Sequence, residues 1–234
     1  MDAISHVTIE GRFNGPPDSA NGGYACGTVA RFLSGPAEVS LLAPPPLDRP
    51  LEVVSEDGRV TMRDGATQVA EARPLDGLDC EPPVRPAPAE AADAQTRHPF
   101  LGVDHPFSRC YVCGAARDDG LGMHFGPLAA RPEVNAAVLR PGPEVPAEAD
   151  HVAREILWAA LDCPSYAPEL YGKLALLARF SAEIVRDAGI EETLVAVGWG
   201  EGAEGRKHHT ASSLLDAEGS TVARARALWI EPRS

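Results

Sequence analysis

The stretch Gly15-Pro-Pro-Asp-Ser-Ala-Asn-Gly-Gly-Tyr24, running on into Ala25-Cys-Gly-Thr-Val-Ala-Arg-Phe-Leu33, decides how this chain is read. Its first part is a proline-containing loop. Its second part reads as a short helix with Asn21 or Gly22 near the N-cap, where a short polar side chain can accept a hydrogen bond from a free amide. Glycine is a poor helix former, so the pair at positions 22 and 23 weakens the helix reading. Upstream, Ile4 to Phe13 alternates like a strand. Downstream of Gly35-Pro36 the pattern is extended, at Glu38–Leu42, Leu51–Glu56, Val60–Arg63 and Thr67–Arg73, with turn signals at Asp57-Gly58 and Asp64-Gly65. One helix followed by an antiparallel meander is an α+β pattern.

The same order returns later in the chain. Val134–Leu139 alternates like a strand, and Asp150-His-Val-Ala-Arg-Glu-Ile-Leu-Trp-Ala-Ala-Leu-Asp162 has helical apolar spacing with Asp150 as the expected N-cap. Extended segments follow at Leu174–Val185, Thr193–Gly200, His208–Leu215 and Thr221–Ile230, with Asp216-Ala-Glu-Gly219 as a hairpin turn. Val69-Ala-Glu-Ala-Arg73 and Val222-Ala-Arg-Ala-Arg226 close the two halves in similar terms. Between them, the Pro/Ala/Glu-rich stretch Glu81–Ala94 has linker composition, and His98-Pro-Phe and Cys110-Tyr-Val-Cys-Gly114 come after it. These features predict a first repeat at 1–76, a Pro-rich linker with its Cys-x-x-Cys segment at 77–132 and a second repeat at 133–234, packed as a pseudo-dimer.

At 234 residues, 44% of them hydrophobic, the chain has enough material for two small cores and is not a disordered polymer. Thirty-four acidic against 21 basic residues give a net charge of -13, which repels nucleic-acid backbones and anionic lipid. A coenzyme A site would therefore need its own basic cluster. No run approaches the ~20 apolar residues of a membrane span, and Met1–Gly11 lacks the features of a signal peptide, so a cytoplasmic protein is expected. Five cysteines, an odd number, argue against a disulfide framework.

Gly-Pro-Pro-Asp-x-x-Asn-Gly-Gly-Tyr at 15–24 resembles the loop and helix start of hotdog-fold acyl-CoA thioesterases, where a His-Gly-Gly or similar triplet opens the central helix. The run Ser212-Ser-Leu-Leu-Asp-Ala-Glu-Gly-Ser-Thr-Val-Ala-Arg-Ala-Arg-Ala-Leu-Trp229 resembles the final hairpin of that superfamily. The likeness covers most of the chain outside the linker, and its motifs bear on the fold more than on the substrate. It implies two tandem hotdog repeats, each an antiparallel sheet wrapped around a central helix. It also implies hydrolysis of an acyl-CoA or acyl-carrier-protein thioester without a cofactor. A homodimer of such double units is open.

Four clusters are candidates for chemistry. Glycines at a helix start let a substrate approach the backbone, and Asn21, Gly22 and Gly23 offer amides to an oxyanion, with Tyr24 beside them for substrate contact. The competing reading is a glycine-rich turn with an ordinary cap. Asp162, at the end of Ile156-Leu-Trp-Ala-Ala-Leu, is expected on or beside a buried helix face where desolvation makes it a stronger base. It could equally interact only with the helix end ahead of Pro164, and Glu155 is a rival base. The resemblance places such a carboxylate across the pair interface from the Gly-Gly amides. Because no acidic residue lies between Asn21 and Ser34, one working site is expected rather than two. Gly205-Arg-Lys-His-His209 is the densest basic cluster, with Arg206 and Lys207 as phosphate anchors and only one of the adjacent histidines, His208 being the assigned one, facing inward. Cys110 and Cys113 supply half of a tetrahedral zinc site, with Cys80, His98, His105 and His124 as possible partners. A tight turn with packed thiols and no metal is the expectation.

Other nucleophile schemes are weaker, since the sequence has no Gly-x-Ser-x-Gly elbow and no Walker loop. Two others stay open: a hotdog hydratase or dehydratase, and a non-catalytic acyl-thioester binding protein, since position 21 is Asn where His is commoner.

Overall fold

Asn21 ends its loop in an extended conformation and accepts the Tyr24 amide on its side chain at 2.9 Å, so helix α1 (Gly22–Ala30) begins where the glycines do. In this computed structural model, which describes residues 3–233, α1 is preceded by strand β1 (Ala3–Thr8) and followed by β2 (Ala37–Leu41), β3 (Pro50–Glu56), β4 (Arg59–Asp64) and β5 (Thr67–Pro74). Then come α2 (Pro88–Gln95), β6 (Gly126–Pro127), β7 (Val134–Leu139), the small hairpin β8 (Ala147–Glu148) and β9 (His151–Val152), and α3 (Arg154–Asp162). The chain finishes with β10 (Leu176–Ile184), β11 (Leu194–Glu204), β12 (Lys207–Leu215) and β13 (Thr221–Ile230).

Eleven strands form one antiparallel sheet in the order β1-β3-β4-β5-β2-β10-β13-β12-β11-β7-β6. Setting aside the two-residue β6 and the separate β8–β9 hairpin, the strands met from either edge inward have the same rank within their half of the chain: first, third, fourth, fifth, second. The halves join at the centre, where Ala37–Ser40 of β2 pairs with Arg179–Ala182 of β10. Both α1 and α3 lie in the one large core that this sheet covers.

Two local expectations change. Asp150 does not cap α3; the cap is Ala153, without a side-chain bond. Val152 is buried and its amide donates to Ala188 O, which holds the chain extended past His151 and delays the helix. The stretch with linker composition contains α2, which starts with a proline at its first turn and a Glu90 side chain accepting the Ala87 amide. Proline costs nothing there because that amide has no helical partner to lose. Ala91 and Ala94 of α2 pack with Val134, Ala136 and Val138 of β7, so β7 is buried on both faces instead of one. Among the described residues no helix is long and apolar enough to cross a membrane.

Candidate active site

The glycines of α1 are explained by what they touch. A Cβ on Gly23 would lie 2.5 Å from Asp162 Cβ and 2.6 Å from Trp158 O, and one on Gly27 would lie 2.8 Å from Glu155 Cα. The start of α1 therefore packs backbone-close on the end of α3, with the two helices antiparallel. Helix propensity is given up, at about 1 kcal/mol for each glycine relative to alanine, so that residues from distant parts of the chain can meet.

Asp162 is what meets α1. Its Oδ2 accepts hydrogen bonds from the Gly23 amide at 2.8 Å and from Asn21 Nδ2 at 3.0 Å, while its Oδ1 has no hydrogen-bond partner. Burial pushes its pKa up to about 7, and the bonds from Gly23 and Asn21 limit the rise. The Gly23 amide is thus already engaged, which corrects its expected availability for an oxyanion. The Gly22 amide has no acceptor among the described residues, and it sits at the positive end of the α1 dipole.

A cavity of about 620 Å³ opens beside these groups. Asn21, Gly22 and Asp162 form part of its wall; the rest is mainly apolar, including Leu41, Phe107, Phe125, Leu177 and Trp229. No histidine, lysine or arginine lines it among the described residues. The volume and the wall suit an acyl chain better than a polar ligand.

The remaining expected residues lie elsewhere. Tyr24 is half-buried and stacks on Phe13 with ring centroids 4.0 Å apart, and burial raises its pKa. Glu155 is at the other end of α3, paired with Arg31 at 3.1 Å beside a second, smaller cavity that Gly27 and Ala30 also line. Arg206 donates to Glu231 O at 2.5 Å and Lys207 is exposed; neither borders the main cavity. His208 does face inward and His209 outward, but His208 Nε2 contacts Glu231 at 2.7 Å and not the cavity. The main cavity thus lacks the basic cluster that coenzyme A phosphates would call for.

The sequence candidates for completing the Cys-x-x-Cys do not join it. His98 Nδ1 contacts Phe125 O at 2.7 Å, and Cys80 donates to Ala225 O. The third thiol is Cys163, whose neighbour is Asp162: the sulfurs of Cys110, Cys113 and Cys163 all lie within 4.8 Å of one another, on the cavity wall. No sequence spacing links residue 163 to 110; only the adjacency of 163 to the candidate base hints at it.

A large antiparallel sheet packed on a few short helices is the pattern of the hotdog fold. Solved structures of that fold are similar to the chain over nearly its full length. A hotdog-fold protein of unknown function from Alicyclobacillus acidocaldarius aligns at TM-score 0.62 and 15% identity, covering 99% of this chain and 96% of that one. A thioesterase candidate from Novosphingobium aromaticivorans gives TM-score 0.68 at 15% identity, with the same coverages of 99% and 96%. Acyl-CoA thioesterase II TesB2 from Mycobacterium marinum gives 0.59 at 13%, covering 99% and 93%. No family model and no curated protein sequence matches the chain.

Proposed function

We propose that the protein hydrolyses acyl thioesters, with the acyl chain in the apolar cavity and the attacking water activated by Asp162. The observation that carries this reading is the carboxylate itself, in a residue that lines the cavity: one oxygen is fixed by Gly23 and Asn21, and the other is buried without a partner. A carboxylate so fixed takes a proton from water as the water attacks the carbonyl carbon; the carbon–sulfur bond then breaks and the thiol leaves with a proton. The Gly22 amide stabilises the oxyanion, while Gly23 and Asn21 position the base.

In this reading the halves, 1–76 and 133–234, are tandem hotdog repeats packed as a pseudo-dimer, joined through 77–132. The matching strand ranks support that, as does a site built from α1 of one half and α3 of the other. The substrate is an acyl-CoA or acyl-carrier-protein thioester; the similarity to acyl-CoA thioesterase II TesB2 supports the first. Arg206 and Lys207 keep a role only if the carrier end of the substrate reaches the β11–β12 hairpin. A second reading, a non-catalytic acyl-thioester binding protein, is favoured by the engagement of the Gly23 amide, which leaves one backbone donor for an oxyanion. The hydratase reading gains nothing from a cavity wall without histidine.

Thiol release from a panel of acyl-CoAs tests this. The Asp162→Asn variant is expected to lose about 10²-fold or more in kcat while still binding acyl-CoA. Full turnover in that variant would remove Asp162 as the base. No turnover by the native protein at any chain length, with saturable binding, would establish the binding module.

A further inference from the structure

We propose that Cys110, Cys113 and Cys163 bind one thiophilic divalent metal ion of the zinc class, with its fourth coordination position open to the apolar cavity. The three sulfurs are mutually within 4.8 Å, and Cys110 Sγ is 3.7 Å from Cys163 Sγ. A tetrahedral ion with metal–sulfur bonds of about 2.3 Å holds its sulfurs about 3.8 Å apart. The cluster is therefore already near the size of a ligand triangle.

The backbone holds two of the three sulfurs close together. A Cβ on Gly114 would fall 2.5 Å from Cys110 O and 2.6 Å from Cys110 N, so the Cys110-Tyr-Val-Cys113-Gly114 turn folds back on itself as tightly as glycine permits. In that turn the Gly114 amide donates to Cys110 O at 2.8 Å, which closes the loop between the two cysteines. Asn21 Nδ2 adds a donor 3.8 Å from both Cys110 and Cys163. Among the described residues, these sulfurs have donors and each other as partners, and no oxygen acceptor. Cys80 shows the contrast: it is buried too, but gives its proton to Ala225 O. Asn21 Nδ2 is a donor suited to a thiolate, and an ion would replace protons that have only neighbouring sulfurs as acceptors. Disulfide formation answers less well, since a pair would leave the third thiol over.

The fourth position falls to a water or a ligand. His98 is held by Phe125 O, and all three cysteines border the cavity, so the ion would keep an exchangeable site there. This inference does not rest on thioester hydrolysis, and its readouts are independent of that activity.

The test uses the full chain. Protein from zinc-supplemented growth, dialysed under reducing conditions, is expected to retain about one zinc per chain by elemental analysis. After chelation, titration with Co²⁺ should produce a sulfur-to-cobalt charge-transfer band and the visible bands of a tetrahedral ion, saturating at one equivalent. Cys113→Ser and Cys163→Ser should lose the charge-transfer intensity, and Cys80→Ala should keep it. If those variants do not fold, the native titration decides alone. Folded native protein with no bound zinc and no charge-transfer band, or a band that survives in Cys110→Ser/Cys163→Ser, overturns the proposal.

Discussion

Replacing Gly23 with alanine asks α1 and α3 to move apart by nearly 1 Å. The added methyl would start 2.5 Å from Asp162 Cβ and 2.6 Å from Trp158 O, where ordinary contact begins at 3.4 Å, and neither atom is the end of a flexible side chain. Overpacking of this kind costs about 1–3 kcal/mol, offset by up to about 1 kcal/mol of helix propensity. A net loss of about 1–2 kcal/mol lowers the melting temperature by roughly 2–8 °C in a chain of this size. The same displacement takes the Gly23 amide from 2.8 Å to beyond hydrogen-bond range of Asp162. Misplacement by 1 Å at a catalytic group costs about 10²-fold, so kcat for acyl-CoA hydrolysis should fall by that order. Gly27→Ala is the matched comparison, because its methyl would lie 2.8 Å from Glu155 Cα and 2.9 Å from Trp158 Cβ, at the other end of the helix pair. It should lose similar thermal stability while retaining turnover within about tenfold. Circular-dichroism melts and initial rates on both variants read the two effects separately. Native melting in Gly23→Ala, or an equal loss of turnover in Gly27→Ala, would refute the reasoning.

Glu155→Gln removes the charge that Arg31 faces, and since that pair lies away from the main cavity, turnover should stay within about twofold and stability change by less than about 1 kcal/mol. A 10²-fold loss of turnover would instead make Glu155 the base. His98 supplies a pH dependence: burial lowers its pKa from 6.5 to about 4. The folded state thus keeps the ring neutral where the unfolded chain protonates it; its contribution is complete above pH 6.5 and is lost as pH falls towards 4, amounting to roughly 3 kcal/mol. Urea midpoints at pH 7 and pH 4.5 should differ less in His98→Asn than in the native chain, and equal differences would show that another group controls acid unfolding.

Much of this architecture was legible because its signals are local. Asn21 capping a helix, turn glycines at 58, 65 and 219, and alternation in Val134–Leu139 and Thr221–Ile230 all act within a few residues, and the elements formed there. The start of α3 was not legible because a long-range bond from Val152 to Ala188 overrides the capping preference of Asp150. Likewise α2 hides in linker composition, since alanines form a helix readily but bury little, and only β7 gives Ala91 and Ala94 something to cover. At the site, the pairing of the first helix with Asp162 followed from the resemblance, but the particular bond did not. That the Gly23 amide bonds the Asp162 carboxylate instead of standing free depends on sub-ångström helix packing. Arg206 and Lys207 were grouped by sequence density, which says nothing about distance to a cavity.

The bond between Gly23 and Asp162 spans 139 residues of chain. As the polypeptide leaves the ribosome, the glycine face of α1 is complete long before anything exists to cover it. The nascent amino-terminal half must wait, with that face and the β2 edge uncovered, until α3 and β10 have been translated. A stop codon between the end of α1 and residue 162 therefore removes more than distal strands: it leaves the Gly23 amide without the acceptor it is built against.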